Sequence, residues 1–213
     1  HPRYAGGHLG ATRLADIHDP RFDFETVIPA TLDFLRSAGI ESQVPLIVAG
    51  GIRTHVDILR LQAMGAAGVQ LGTPFAVTAE CDADLEFKRV LASATDDDTV
   101  EFLSVTGLPA RAVATVWLKN YFAVEGKLKA SAHSKARCTK KFDCLVQCGL
   151  RDGIAEWGQF CIDNQLAAAL RGDVKKGLFL RGAGPLPFGS TIRTVRELME
   201  RLLAPLPLPL PPA

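Results

Sequence analysis

The segments Pro45-Leu-Ile-Val-Ala-Gly-Gly-Ile52 and Gly68-Val-Gln-Leu-Gly-Thr-Pro-Phe75 decide the fold that the sequence predicts. Each is a short apolar run that ends in a glycine-bearing turn. Residues 44–48 are rich in β-branched side chains and predict a strand buried on both faces, as in a parallel sheet. Between the segments, we expect Thr54 to cap a helix that Gly65 ends. This order predicts a βαβα unit with parallel strands and a right-handed crossover.

The two glycine turns are candidates for a phosphate site. In (β/α)8 barrels, the turns after strands seven and eight often hold phosphate groups. Gly50-Gly51 and Gly72-Thr73 fit those turns, because backbone N–H groups can converge there without a Cβ atom in the way and the threonine hydroxyl adds a donor. A turn glycine is more often structural than functional. Because the two turns lie one βαβ unit apart, a phosphate-binding role and a purely structural role are about equally favoured.

A third glycine-bearing turn, Tyr4-Ala-Gly-Gly-His-Leu-Gly10, lies near residue 1. Imidazole titrates near neutrality, and the flanking glycines allow a cofactor and a substrate to approach it closely. We therefore consider His8 a candidate general base or proton donor. An exposed loop histidine without a function is the alternative, and on composition alone the two readings have equal weight.

The rest of the sequence predicts mostly helices. We expect residues 82–116 to be mainly helical, and further helices over 157–170 and 191–203. The chain is therefore divided into three parts: residues 1–82, which hold the βα unit; residues 83–203, a mainly helical region; and residues 204–213, a proline-rich tail. We expect the tail to be extended and disordered, with an SH3-type ligand as the alternative.

Composition excludes several classes of function. The chain has 213 residues, 47% of them hydrophobic, and its formal net charge is +1, so no broad electrostatic field attracts nucleic acid or anionic lipid. The longest apolar stretches fall short of the roughly 20 residues that span a bilayer. No signal peptide is legible, and five cysteines without a disulfide framework indicate a reducing compartment, so a cytoplasmic location is expected.

A cysteine-bearing stretch raises the question of a metal site. Cys138, Cys144 and Cys148 precede Cys161, with His133 nearby. Their spacing matches neither the usual zinc-knuckle separation nor a ferredoxin run. We expect no metal, and interpret the cysteines as small buried thiols that pack a helical cap.

The three glycine turns together resemble the nitronate monooxygenases, formerly called 2-nitropropane dioxygenases, and their FMN-dependent enoyl reductase relatives. The resemblance rests on 5–10, 45–52 and 64–75, and extends more weakly to 107–111 and 144–188. It implies an α/β fold in which this chain supplies part of an FMN-binding (β/α)8 TIM barrel, its last two strands and helices, followed by a mainly helical part. The barrel strands that the family places earlier are expected to be missing from this chain.

The resemblance also implies roles for single residues. His8 matches the catalytic histidine beside the flavin. Gly50, Gly51, Gly72 and Thr73 match the turns that bind the FMN phosphate, while Gly6, Gly7, Ala49 and Gln70 match residues that line the same pocket. Tyr4 departs from the motif, which often has an acidic residue at that position.

Three hypotheses on function follow from the resemblance. The first is an FMN-dependent oxidoreductase that converts alkyl nitronates and O2 to a carbonyl compound and nitrite, with His8 removing the α-proton where a neutral nitroalkane is used. The second is an enoyl-thioester reductase that uses NAD(P)H, with His8 as proton donor. The third is that the chain as given is an inactive fragment. The expected partners are a small-molecule substrate and O2, without nucleic acid or membrane, and the oligomeric state is left open.

Overall fold

The computed structural model describes residues 1–133, 138 and 144–203. The proline-rich tail that the sequence predicts lies outside the described residues. The strands are β1 (Gly7–His8), β2 (Ile47–Ala49), β3 (Gly68–Gln70), β4 (Thr99–Leu103) and β5 (Pro109–Val113). The helices are α1 (Phe24–Ser37), α2 (His55–Ala63), α3 (Thr73–Ala76), α4 (Leu85–Ser93), α5 (Val116–Ala130), α6 (Gly149–Asp152), α7 (Ile162–Leu170) and α8 (Val195–Leu203). None of the helices in this part of the chain is both long and apolar enough to cross a bilayer.

The predicted βαβα unit is present. Strands β2 and β3 pair in parallel, with Val48 opposite Val69, and α2 connects them. Thr54 caps α2 as expected, through a reciprocal pair of hydrogen bonds with Asp57. Gly65 follows the helix with φ +105°, a conformation that glycine adopts without strain. The local signals of strand, cap and stop therefore located this unit correctly, while its place in a (β/α)8 barrel stays a prediction.

Strand β2 is covered on one face, which corrects the prediction of a strand buried on both. Val48 is buried and packs in a cluster with Ile28 and Leu61, whereas Ile47 is 52% exposed. Successive side chains of a strand point to opposite faces, and α1 and α2 contribute to the cover of only one of them. An apolar run alone cannot show how many of its faces are covered.

The prediction that residues 82–116 are mainly helical is wrong over the part that forms β4 and β5. These strands pair antiparallel from Thr99 opposite Val113 to Leu103 opposite Pro109, and β1 adds to the other edge of β5. Every residue of β5 is buried. Its alanines favour a helix locally, but burial between β1 and β4 decides the structure of the segment.

The three-stranded sheet crosses the boundary that the sequence suggested at residue 82. His8 in β1 lies opposite Ala110 in β5, so the candidate base is held by the later part of the chain. Leu180 adds a bridge to Ala112 of the same strand. The division into 1–82 and 83–203 stays a prediction. The helices α7 and α8 begin at Ile162 and Val195, later than the sequence predicted.

Candidate active site

All nine residues proposed as site residues line one cavity of about 530 Å³. They come from three separate turns: the βαβα unit brings the 50–51 and 72–73 turns together, and His1 and Tyr4, which precede the glycines of the turn that carries His8, pack against the 50–51 turn. The cavity lies within the range of roughly 300–1,000 Å³ that is usual for ligand and cofactor pockets. The nine residues are Gly6, Gly7, His8, Ala49, Gly50, Gly51, Gln70, Gly72 and Thr73.

The turn after β2 requires glycine at two successive positions. Gly50 and Gly51 have φ values of +101° and +77°, which other residues rarely adopt. A Cβ atom on Gly50 would lie 2.9 Å from the carbonyl oxygen of His1, and one on Gly51 would lie 2.7 Å from the Cβ atom of Tyr4. The chain therefore passes close to other backbone and aromatic atoms at this point, and a side chain on either residue would displace them.

The turn after β3 presents an open surface and a hydroxyl. A Cβ atom on Gly72 would meet nothing within 4 Å. Thr73 Oγ1 accepts a hydrogen bond of 3.2 Å from the N–H of Gly182, so the hydroxyl proton of Thr73 remains available to a ligand. Helix α3 begins at Thr73 without a side-chain cap. Pro74 in this helix has no N–H, and the N–H groups that follow it donate to the Gly72 carbonyl oxygen, so the Thr73 hydroxyl is the side-chain donor that this turn offers to the cavity.

The beginning of α2 differs, because its own side chains occupy it. The N–H groups of Arg53 and Thr54 donate to Asp57 Oδ2 at 3.0 and 2.9 Å, and the N–H of Asp57 donates to Thr54 Oγ1. A capping carboxylate at this position disfavours a second negative group there. An anion in the cavity would therefore be held by the 50–51 and 72–73 turns and not by the amino end of α2.

Arg53 carries the only permanent charge among the described residues that line the cavity. Its guanidinium donates to the carbonyl oxygen of Ala183 at 2.5 Å, and its Cζ atom lies 5.9 Å from the centre of the Tyr4 ring. Tyr4, which departs from the family motif, therefore makes a cation–π contact with the Arg53 guanidinium in this structure. A positive group beside the two glycine turns adds to the attraction for an anion.

His8 belongs to β1, which forms one edge of the cavity. Its Nε2 atom is 3.0 Å from Thr106 Oγ1 and 3.1 Å from Ser104 Oγ. The ring keeps contact with solvent, while burial of part of it lowers the pKa of His8 below its usual value. A histidine with this property is mostly neutral at pH 7 and able to accept a proton.

One wall of the cavity was not predicted from the sequence, and it comes from the residues that follow Leu180, between α7 and α8. Gly182 and Ala183 line the cavity, and a Cβ atom on Gly6 would collide with the backbone of Arg181. Arg181 is buried, and its guanidinium donates to the carbonyl oxygens of Leu91, Gly182 and Gly184. Glycines on either side of residue 183 were the available signal of a close backbone approach.

The remaining wall of the cavity is apolar. Side chains of α4 and of the segment between α7 and α8 meet there with residues of α3. A surface of this kind excludes water from whatever lies against it and favours alkyl or aromatic groups. The apolar residues of this wall are Pro74, Ala76, Phe87, Leu91, Leu180 and Leu186.

The described residues contain no group of three histidine, cysteine or acidic side chains placed to hold a metal ion. The five cysteines are free thiols. Cys148 is buried as expected for a packing thiol, but Cys144 is exposed, which corrects the prediction of buried thiols for that residue. Cys144 lies in the sequence between α5, which ends at Ala130, and α6, which begins at Gly149.

Comparisons with known proteins agree with one another. A family model described as nitronate monooxygenase matches residues 3–204. The protein described as "Probable nitronate monooxygenase" in Staphylococcus saprophyticus is 31% identical over 110 residues, which cover 51% of this chain and 29% of that protein. The protein with the same description in Bacillus subtilis is 30% identical over 115 residues, which cover 54% of this chain and 31% of the relative.

Two solved structures share the fold. FabK from Thermotoga maritima superimposes with a TM-score of 0.59 at 21% identity, over 93% of this chain and 50% of FabK. Nitroalkane oxidase from Streptomyces ansochromogenes superimposes with a TM-score of 0.51 at 22% identity, over 93% of this chain and 48% of the oxidase. This chain thus spans about half the length of the solved structures and about a third of the curated relatives.

Proposed function

Because the chain belongs to the nitronate monooxygenase family, we propose that it forms the FMN-binding and acid–base part of an enzyme that oxidises alkyl nitronates. In the proposed reaction, an alkyl nitronate and O2 give a carbonyl compound and nitrite. The observation that carries the proposal is the convergence of three distant glycine turns, one of them bearing His8, on a single cavity. The partners are a small molecule and O2, and the proposed location is the cytoplasm.

The residues of the cavity fit FMN. Gly72 leaves backbone surface open, as close approach by a phosphate requires, and Gly50 and Gly51 line the cavity without side chains of their own. Thr73 would donate its hydroxyl proton to a phosphate oxygen, because its oxygen already accepts the Gly182 N–H. Arg53 would add a positive charge to the same end of the cavity.

The other residues fit the flavin ring. Gly6 and Gly7 leave room next to His8, and Ala49 and Gln70 line the cavity at the ends of the two parallel strands. The Gln70 amide can both donate and accept hydrogen bonds, which suits the polar edge of the ring. When bound, FMN would supply the electron transfer between substrate and oxygen.

His8 would act on substrates that arrive as neutral nitroalkanes. The α C–H bond breaks, its electron pair remains on the substrate as the nitronate, and the proton forms an N–H bond on the imidazole. A lowered pKa keeps His8 neutral and ready to accept this proton. The apolar wall around Leu180 and Leu186 would hold the alkyl group and exclude water.

An FMN-dependent enoyl-thioester reductase is the alternative. The FabK superposition covers as much of this chain as the nitroalkane oxidase superposition does, and its TM-score is higher. In that reaction His8 would donate a proton to the substrate, while NAD(P)H would supply the hydride. The nitronate reading is preferred because the family match covers residues 3–204 of this chain.

A turnover assay on the full chain, purified with FMN, separates the hypotheses. We expect oxygen uptake and nitrite formation with an alkyl nitronate in the absence of NAD(P)H. NAD(P)H oxidation that depends on an enoyl thioester, without nitrite from a nitronate, would reject the proposed function in favour of the reductase. A sample that binds FMN but performs neither reaction would support the inactive-fragment hypothesis.

A further inference from the structure

Two hydroxyl oxygens converge on one nitrogen of His8. Thr106 Oγ1 lies 3.0 Å and Ser104 Oγ 3.1 Å from Nε2, and both residues belong to the turn that joins β4 to β5. His8 lines the cavity, whereas Ser104 and Thr106 are not among the described residues that line it. The two hydroxyls therefore contact Nε2 from residues that lie outside the cavity.

This geometry distinguishes the two neutral forms of the ring. An unprotonated nitrogen has one lone pair and accepts one strong hydrogen bond, whereas one N–H can be shared between two oxygen acceptors in a three-centre bond. Two oxygens at nearly equal distances therefore favour a proton on Nε2. With the proton on Nδ1, Nε2 would accept a hydrogen bond from only one of the two hydroxyls, and the other would lose this contact.

We propose that Ser104 and Thr106 are positioning residues that hold neutral His8 in its Nε2–H form, so that Nδ1 is the nitrogen that exchanges a proton with the substrate. Nδ1 makes no hydrogen bond to any residue that the structure describes. The inference rests on the proposed function of His8 as the acid–base residue. In the forward direction, Nδ1 accepts the α-proton of a nitroalkane, and the resulting imidazolium keeps its Nε2–H bond to the hydroxyls.

The turn that carries the hydroxyls is held firmly. The N–H of Ser104 donates to the carbonyl oxygen of Leu108 at 2.9 Å, and the Ser104 carbonyl oxygen accepts from Gly107 and Gly158. Gly107 has φ +76°, and a Cβ atom there would collide with the indole of Trp157. Because backbone hydrogen bonds and the packing of Trp157 against Gly107 fix this turn, replacing either hydroxyl should leave its shape intact.

Charged groups near β1 do not account for the position of His8. On the neighbouring strands, Arg111 and Glu101 form an ion pair with each other, and Glu101 also contacts His18 at 3.3 Å. The guanidinium of Arg181, on the adjoining segment, is bound to backbone carbonyl oxygens. The hydroxyls are thus the polar side chains that contact the His8 ring within the described part of the chain.

The test is ¹⁵N NMR of the histidine rings in the 213-residue chain, with His8 assigned by comparison with His8→Asn. Above its pKa, wild-type His8 should show a protonated Nε2 and an unprotonated Nδ1. The double variant Ser104→Ala/Thr106→Val should show a mixture of the two forms. Its His8 pKa should fall by about half a unit or more, because the imidazolium loses two acceptors.

Three further variants separate positioning from folding. Thr106→Val alone removes one hydroxyl at a half-buried position and should lower the His8 pKa in the same direction, which provides a test if the double variant does not fold. Thr106→Ser keeps the hydroxyl and should retain the wild-type value. Thr99→Val is the control. It removes a hydroxyl from the same hairpin, but that hydroxyl donates to the backbone carbonyl oxygen of Asp96, so the variant should change neither the His8 pKa nor the ring form.

Two results would overturn the inference: a wild-type His8 with its proton on Nδ1, or an unchanged pKa and ring form in both Thr106→Val and the double variant. The NMR signals are present whether or not the chain oxidises nitronates. An Nε2–H ring in a chain without turnover therefore rejects the proposed function and not the hydroxyl contacts. Turnover by a chain whose His8 is in the Nδ1–H form rejects the positioning role alone.

Discussion

The N–H of Gly182 donates a hydrogen bond to the hydroxyl oxygen of Thr73, across 3.2 Å and 109 residues of sequence. This contact joins the turn after β3 to a segment that the sequence analysis did not assign to the site. The N–H supplies the proton for this bond, so the hydroxyl proton of Thr73 can point into the cavity. The two parts of the chain therefore position a donor where the phosphate of FMN is proposed to bind.

Replacement of Thr73 tests this donor. Thr73→Val keeps the shape of the side chain but removes the hydroxyl, and leaves the Gly182 N–H without its acceptor. We expect FMN affinity to fall by about tenfold, or about 1.4 kcal/mol. Thr73→Ser retains the hydroxyl and should bind FMN within about threefold of wild type, on the same scale. Equal affinities of the valine and serine variants, measured by flavin fluorescence titration, would remove Thr73 from the site.

Gly72 allows a test that separates binding from stability. A Cβ atom there would meet nothing within 4 Å, so Gly72→Ala should not reduce the free energy of unfolding. The added methyl group would instead stand between the backbone and a phosphate, and we expect FMN affinity to fall by about tenfold or more.

Gly126→Ala is the matched control for this variant. Gly126 lies in α5, and a Cβ atom there also meets nothing within 4 Å. Alanine in a helix interior should raise the unfolding free energy by about 0.5–1 kcal/mol and leave FMN affinity unchanged. If both variants bind FMN as the wild type does, the 72–73 turn does not contact the phosphate.

His8→Asn tests the acid–base role. Asparagine cannot accept a proton at neutral pH, so turnover of a neutral nitroalkane should fall by about a hundredfold or more, while FMN stays bound. A substrate supplied as the nitronate has already lost its proton and should be affected much less. Steady-state oxygen uptake with each form of the same substrate provides the comparison, and an equal loss with both would show that His8 does more than remove a proton.

The lowered pKa of His8 predicts the pH dependence of the same reaction. The base must be neutral, so kcat/KM for a nitroalkane should decline as pH falls through the His8 pKa. Because burial places that pKa below the usual value of about 6.5, the decline should be centred below that pH. A decline centred above it would mean that another group, or a raised histidine pKa, controls the reaction.

The sequence predicted the parts of the site that depend on local chemistry. Successive glycines at 50 and 51 indicated a tight turn after β2, and Thr54 indicated the start of α2; the structure has both. These signals are local because φ angles and helix caps depend on neighbouring residues. The resemblance to the nitronate monooxygenases assigned the three turns to one site, and the structure places them on one cavity.

Long-range pairing could not be predicted in this way. The alanines of β5 favour a helix, but the strand is buried between β1 and β4. Nothing in the residues around His8 indicated that Ser104 and Thr106, almost a hundred residues away, would meet its ring. The Gly182 wall was missed for the same reason, since its contacts with Gly6 and Thr73 appear only in the folded chain.

Titration of the full chain with FMN, followed by quenching of flavin fluorescence, tests the central claim most directly. The account predicts saturable binding of about one FMN per chain, weakened by Gly72→Ala and Thr73→Val but not by Gly126→Ala. If the folded wild-type chain shows no saturable binding, or binds FMN with the same affinity in all three variants, the cavity bounded by His8 and the two glycine turns is not a flavin site.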